Sequence, residues 1–384
     1  LVKLGYLKRG DLEGVKFGDD PARIDYATIF VARRKVLERA TARFMQDPPS
    51  DLDEFSRRHA SWLDSYCEFM TVKEEFGLKA FHEWPQQYRS PGKARDLSAK
   101  REHHYQYHLM TQYFFFKQWE SLKGYANERG VLIVGDMPIY VSRDSVEMWA
   151  MPQLFRVGKD GSPTSVAGTP PDQFSATGQY WGNPIYDWDA MAQDHYSWWV
   201  ERMRMSLKMY DIVRIDHFRG FESYWDVPFG SATSAAGSWS KGPGTALFDE
   251  LTRQLGKLPI IAEDLGFMTP EVIKMREDTG FPGMKILQFA FDGNSDSYYL
   301  PHHYTPNTIA YVGTHDNQTV RGWYENTATP RQREQADRYT RRAKGEPVGA
   351  AFNRAIAASV SDTCIYTMQD LLDLGDEARI NVPA

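Results

Sequence analysis

From residue 131 onward the chain repeats one unit: a short apolar run, usually closed by a charged residue, followed by a helical stretch. The runs are VLIVGDMP (131–138), DIVRIDHF (211–218), LPIIAEDLG (258–266), MKILQFAF (284–291), TIAYVGTHD (308–316) and DTCIYTMQD (362–370). Strands that alternate with helices form either a parallel α/β barrel or an open doubly wound sheet. No glycine-rich phosphate loop follows any run, which weakens the dinucleotide-binding form of the open sheet. Charges at the run ends favour the barrel, because barrel enzymes gather their chemistry at the carboxyl ends of several strands. Residues 22–90 instead repeat apolar side chains every three or four positions and predict helices. Pro85, Pro91 and Gly92 break that pattern, and a long helix is predicted from His103 to Gly130. The expected organisation is a helical insertion over 1–102 and a (β/α)8 catalytic barrel, partial in extent, over 103–384. A loop subdomain is inserted at 140–190, around AGTPPDQFSATGQYWGNPIYDW; loops of that length usually carry function.

Composition narrows the partners. A formal charge of −6 without a long basic run argues against nucleic acid. No run of about 18 apolar residues is available to span a bilayer, and the start lacks a signal-peptide pattern. Cys67 and Cys364 are the only cysteines; without metal-ligand spacing they suit a reducing cytosol. Eleven Trp, 21 Tyr and 21 Phe fit a neutral, ring-stacking substrate such as a sugar, although most aromatics in any chain serve the core.

In DIVRID the side chains of Ile212, Arg214 and Asp216 share one face of a strand, and Val213 and Ile215 share the other. If the latter two pack on helices, Arg214 and Asp216 face the barrel axis, where Arg214 is expected to lower the Asp216 pKa. A structural ion pair is the alternative, but buried pairs add little net stability. Glu263 closes IIAE in the same way, one strand later. Two carboxylates at the ends of neighbouring strands stand about 5 Å apart, the separation used for nucleophile and acid/base in retaining glycoside chemistry. A Glu raised by burial and by an anionic Asp meets the acid requirement near neutral pH. Asp316 and Asp136 end two further runs, and each alone fits a helix-capping role equally well. His217 and His315 are candidates for binding hydroxyls. Metal binding is the competing use of such residues, but neither an HExxH nor an EF-hand pattern is present; no metal and no cofactor is expected.

The motifs GDMPIYV, GQYWGNPIYDW, VRIDHFRGFESYW, AEDLG, PGMKILQFAF, GTHDN and QDLLDLGDEARINVPA, in that order, closely resemble the 4-α-glucanotransferases of glycoside hydrolase family 77, the amylomaltase or disproportionating-enzyme family. The resemblance implies a (β/α)8 TIM barrel of the α-amylase type acting on maltooligosaccharides and other α-1,4-glucans. It implies a retaining double displacement, with Asp216 as nucleophile, Glu263 as general acid/base and Asp316 binding and distorting the ring. It further implies that Asp136, Arg214, His217 and His315 position the sugar, and that Gln179, Trp181 and Asn183 lie on a loop beside the cleft. Family members begin with sequence that supplies the first two strands, so the barrel is expected to lack its first strands here and the parent protein to be longer. A cytoplasmic location is implied, or the plastid stroma in a plant or alga.

The carboxylates do not decide between sugar and water as acceptor. An aromatic wall of Phe174, Tyr180 and Trp181 that excludes water would favour transfer; packing of the loop onto the barrel is the alternative use of those rings. Hydrolysis of the α-amylase type, or glucan binding without turnover, are the readings that compete with transfer. The sequence does not reveal oligomeric state.

Overall fold

The computed structural model describes residues 1–21, 23–171, 175–266 and 268–382. They divide into two compact units, one of residues 1–132, 140–191 and 226–237, the other of residues 133–139, 192–225 and 238–384.

The first unit opens with the predicted helices. Tyr26–Gln46 starts at Asp25, whose carboxylate accepts the Thr28 N–H at 2.9 Å, a cap for one of the free donors of the first turn. Leu63–Glu75 and Pro91–Lys100 follow, then the long helix Glu102–Asn127. Pro91 begins a helix where the sequence suggested only a break: at the first helical position its missing N–H costs nothing. The long helix packs on the earlier ones through Phe44, whose ring lies 5.5 Å from both Tyr113 and Phe114. Partly buried Glu74 ties three elements together by accepting from Arg34 and bonding His104 and His108. The compact unit therefore runs to residue 132, past the boundary expected at 102.

Ten strands are described: β1 (Val134–Met137), β2 (Ser165–Thr169), β3 (Gln179–Pro184), β4 (Ile212–Ile215), β5 (Ser223–Pro228), β6 (Ser238–Lys241), β7 (Ile260–Ala262), β8 (Gly283–Ile286), β9 (Thr308–Tyr311) and β10 (Thr363–Ile365). In the first unit β2 and β3 pair antiparallel within the segment expected to be a long loop. Gly178 immediately precedes β3, with φ +68° and no room for a Cβ against Thr169 O, which explains a glycine there.

The second unit is built on one parallel sheet in the order β1-β4-β7-β8-β9-β10. Its strands follow the chain order, as a succession of crossovers of one hand requires. β1 and β10 are its edges, so it is an α/β sheet forming part of a barrel, without the first strands. Ile212, Ile261, Met284, Ile286, Ile309, Tyr311 and Ile365 cluster on one face, the inner one. On the other, Ala310 and Val312 pack against Phe352 and Ile356 of the helix Val348–Ala357. Gly135 of β1 lies so close to the Tyr210 ring that a Cβ would overlap it. The run MKILQFAF is strand only to Ile286; Leu287–Ala290 turns into a 3-10 helix. Among the described residues no helix is long and apolar enough to cross a membrane.

Burial works to raise the Glu74 pKa, but hydrogen bonds from His108 and Arg34 outweigh it and hold the carboxyl at about 2. Its folded pKa thus lies below the ordinary Glu value of about 4.3, so its stabilisation is complete above that value and is lost as pH falls toward 2. Glu74→Ala leaves Arg34 and His108 without their anion and is expected to cost about 3 kcal/mol in urea unfolding at pH 7. A loss under about 0.5 kcal/mol, the range of an ordinary surface change, would contradict this account.

Candidate active site

The register of the sheet places the charges. Asp136 of β1 lies beside Arg214 of β4, and Ile215, the last residue of β4, beside Ala262, the last of β7. Asp216 and Glu263 are the next residues on two neighbouring strands, about 4.8 Å apart in a sheet of this kind. The ladder continues through them: Asp216 N–H donates to Met137 O and Glu263 N–H to Ile215 O, both at 3.0 Å.

Arg214 stands between two of the acids. Its Nη1 donates to Asp136 Oδ1 at 2.6 Å and to Asp216 Oδ1 at 3.1 Å. The guanidinium is 10% exposed and each carboxylate 46%, so the acids open to solvent while the cation lies beneath them. Arg214 does not lower the Asp216 pKa below its ordinary value, contrary to expectation. Partial burial raises it; Arg214 opposes that rise, and the charges of Asp136 and Asp316 add to it. Burial of the carboxylate, with two further acids near it, outweighs the compensation that one guanidinium offers.

At His217 the backbone enters the left-handed region, φ 53° and ψ 47°, an uncommon conformation for a residue with a side chain. That turn points the His217 N–H at Glu263 Oε2, 2.7 Å away, while Leu265 N–H reaches Oε1 at 2.9 Å. Glu263 is 9% exposed. Burial, then the negative charge of Asp216, raises its pKa to about 7, against the pull of Arg214 and the two N–H groups. Burial and the charge of Arg219 push the His217 imidazole down to about 3, so it is neutral at neutral pH.

Asp316 follows β9 and is linked to the rest by charge, since it contributes to the rise at Asp216. His315 Nε2 lies 3.4 Å from its Oδ2. Asn381 Nδ2 donates to its Oδ1 at 3.1 Å and to His315 O at 3.2 Å, and Arg379 donates to Asp316 O. Asn381 and Arg379 were not singled out from the sequence, although RINVPA was; only folding brings them to a residue more than 60 positions earlier. Tyr311 is a second omission. It lies on the inner face, near enough to Arg214 and Asp136 to feel both charges.

Asp136, Arg214, Asp216, His217, Glu263, His315 and Asp316 all belong to the sheet unit. Gln179, Trp181 and Asn183 lie on β3 of the other unit. Trp181 Nε1 donates to Gln179 Oε1 at 3.0 Å, and Asn183 Nδ2 fastens the strand to Val141 O at 2.8 Å. Tyr180 and Trp181 are more than one third exposed. Phe174, expected beside them, lies outside the described residues. Among the described residues no group of three or more His, Cys, Asp and Glu has metal-binding geometry.

The sequence matches the model of the glycoside hydrolase family 77 4-alpha-glucanotransferases over residues 1–384. The chain belongs to that family. It is 53% identical over 388 residues to the 4-alpha-glucanotransferase of Streptococcus pneumoniae, covering all of this chain and 77% of that protein. To the Thermus thermophilus 4-alpha-glucanotransferase the identity is 40% over 401 residues, covering 100% and 78%. Among solved structures, an amylomaltase from Streptococcus agalactiae in complex with acarbose superposes with a TM-score of 0.95 at 44% identity, over 100% of this chain and 78% of that one. Membership of this 4-alpha-glucanotransferase family agrees with an acid pair on adjacent parallel strands.

The paired titration is directly measurable. The Glu263 carboxyl carbon should titrate near pH 7 by NMR, and in Asp216→Asn its midpoint should fall, because the neighbouring anion that opposes its ionisation is gone. A midpoint between about 4 and 5 in the unaltered protein, the ordinary Glu range, would contradict the assignment.

Proposed function

We propose that this 4-alpha-glucanotransferase moves α-1,4-glucan segments between maltooligosaccharides by two successive displacements at the carboxyl ends of β4 and β7. In the first, an Asp216 oxygen forms a bond to the anomeric carbon as the glycosidic bond breaks. The proton of Glu263 goes to the departing 4-oxygen. In the second, the 4-hydroxyl of an acceptor glucan gives its proton to the Glu263 carboxylate and bonds to the anomeric carbon as the Asp216 ester breaks. Two inversions return the α-configuration, and no atom or electron is left over.

The observation that carries this reading is the divergence in surroundings of two adjacent carboxyls: Glu263 is buried and accepts from two backbone N–H groups, whereas Asp216 is partly exposed and bonded to Arg214. Burial, and then the charge of Asp216, poises Glu263 near pH 7. Such a divergence is how one site assigns acid and nucleophile to the same residue chemistry. Arg214 orients Asp216 through its 3.1 Å bond and limits the rise in its pKa. His217, neutral, can donate to or accept from a sugar hydroxyl without adding a charge. Asp316, fixed by Asn381, holds hydroxyls of the ring as it becomes cationic, with His315 beside it. Asp136 supports the same ring from β1. Tyr180 and Trp181 offer exposed aromatic faces on which glucan rings stack, with Gln179 and Asn183 shaping that strand. A reducing compartment suits the free thiols of Cys67 and Cys364: the cytoplasm, or the stroma in a plastid.

Incubation with maltotriose tests the reaction. The expected products are glucose and a ladder of longer maltooligosaccharides; short products alone would mean water is the acceptor. Asp216→Asn and Glu263→Gln should each reduce ladder formation by about a thousandfold, and near-normal turnover in either would remove that residue from its role.

A further inference from the structure

Glu263 is held in front by two backbone N–H groups, and the residue after it is held from behind. Asp264 turns to the outer face of the sheet and is fully buried. Its Oδ1 accepts the Met284 N–H at 2.6 Å, and its Oδ2 faces Arg276 Nε at 3.5 Å. Arg276 projects from the helix Pro270–Thr279, whose start is capped by Thr269. Gly283 makes room for the carboxylate: a Cβ there would stand 2.3 Å from Oδ2. Lys285, the next outward residue of β8, is 1% exposed and lies over the Tyr298 ring. Asp264 Oδ2, Arg276 Nε, Lys285 Nζ and Tyr298 OH are all buried without a hydrogen-bond partner. Burial raises the Asp264 pKa and pushes Lys285 down to about 7. A buried cluster this incompletely paired is a poor source of stability.

The cluster is joined to the site by a single peptide. The bond from Leu265 N–H to Glu263 Oε1 spans Asp264, so the backbone angles of Asp264 set whether that N–H reaches the carboxylate. We propose that Asp264, clamped between the Met284 N–H and the Arg276 guanidinium, is a positioning residue that fixes the turn after β7 and so holds the Glu263 carboxyl toward the inner face. The inference rests on Glu263 being the acid/base. It assigns to Asp264 and Arg276 a role exercised through Glu263, with no contact to substrate.

The test is Asp264→Asn, which keeps an acceptor for Met284 N–H but removes the anion facing Arg276. We expect kcat for maltotriose disproportionation to fall on the order of 10- to 100-fold, as small misplacements of a reacting group do, with KM changed less than about twofold. The alkaline limb of the kcat profile should move upward, because loosened N–H bonds no longer favour the ionised Glu263. A purely structural role would lower Tm without moving that limb. Arg276→Lys, which keeps the charge and loses the fork, should show the same upward displacement with a smaller loss of kcat, and serves if Asp264→Asn does not fold. Glu263→Gln is run in parallel. If it abolishes turnover while the folded Asp264 and Arg276 variants keep kcat and limb unchanged, the positioning role is wrong and the acid/base role stands. If Glu263→Gln keeps turnover, the acid/base role itself fails.

Discussion

The parallel register between β4 and β7 is the constraint on which the site depends. Because Ile215 pairs with Ala262, the two following residues emerge side by side from neighbouring strands. Side chains alternate along each strand, so a slip of one residue would turn Asp216 or Glu263 toward the helices and separate the acids. The register is held by apolar packing on both faces: Val213 and Ile215 are fully buried on one, and Ile212 and Ile261 join a cluster with Met284, Ile286 and Tyr311 on the other. Core packing and catalytic spacing are consequences of the same alignment.

On that frame the electrostatics are deliberately unbalanced. One guanidinium serves Asp136 and Asp216 and also acts on Glu263, while the charge of Asp316 reaches Asp216. Burial raises the Asp216 and Glu263 pKa values, and the surplus of negative charge adds to the rise where a simple salt bridge would lower them. Such a surplus costs stability in the empty protein and becomes favourable when a sugar ring acquires positive charge between the acids. Glu263, the most buried of the four, is raised to about 7, whereas Asp216, nearer solvent, has its rise opposed by the bond to Arg214. The left-handed turn at His217 adds a local cost, typically 1–3 kcal/mol for such backbone, and delivers an N–H to the Glu263 carboxylate.

Much of this was legible in the residues themselves. The six runs mark the six parallel strands, and the alternation in DIVRID separates the inward charges from the outward Val213 and Ile215. Strand ends were not legible: MKILQFAF is uniformly apolar, and nothing in it signals the change to a 3-10 turn after Ile286. Pro91 was read as a break because a proline both ends and begins helices. The sign of the Asp216 shift is not legible because a sequence shows its neighbour Arg214 but neither the burial of the carboxylate nor the charges of Asp136 and Asp316 that folding brings within reach. Asn381 and Asp264 were overlooked for a related reason. Their importance lies in what they face, Asp316 in one case and Arg276 in the other, and no local pattern encodes that.

The account rests on Asp216 forming a bond to sugar while Glu263 manages the proton, and trapping the intermediate tests this most directly. Glu263→Gln should be treated with an α-glucosyl fluoride, whose leaving group needs no proton, then quenched, digested and weighed by mass spectrometry. The account predicts a peptide containing Asp216 heavier by one glucosyl residue, persisting because the base that activates an acceptor is absent. A label on any other carboxylate, or complete turnover with no adduct, would contradict it.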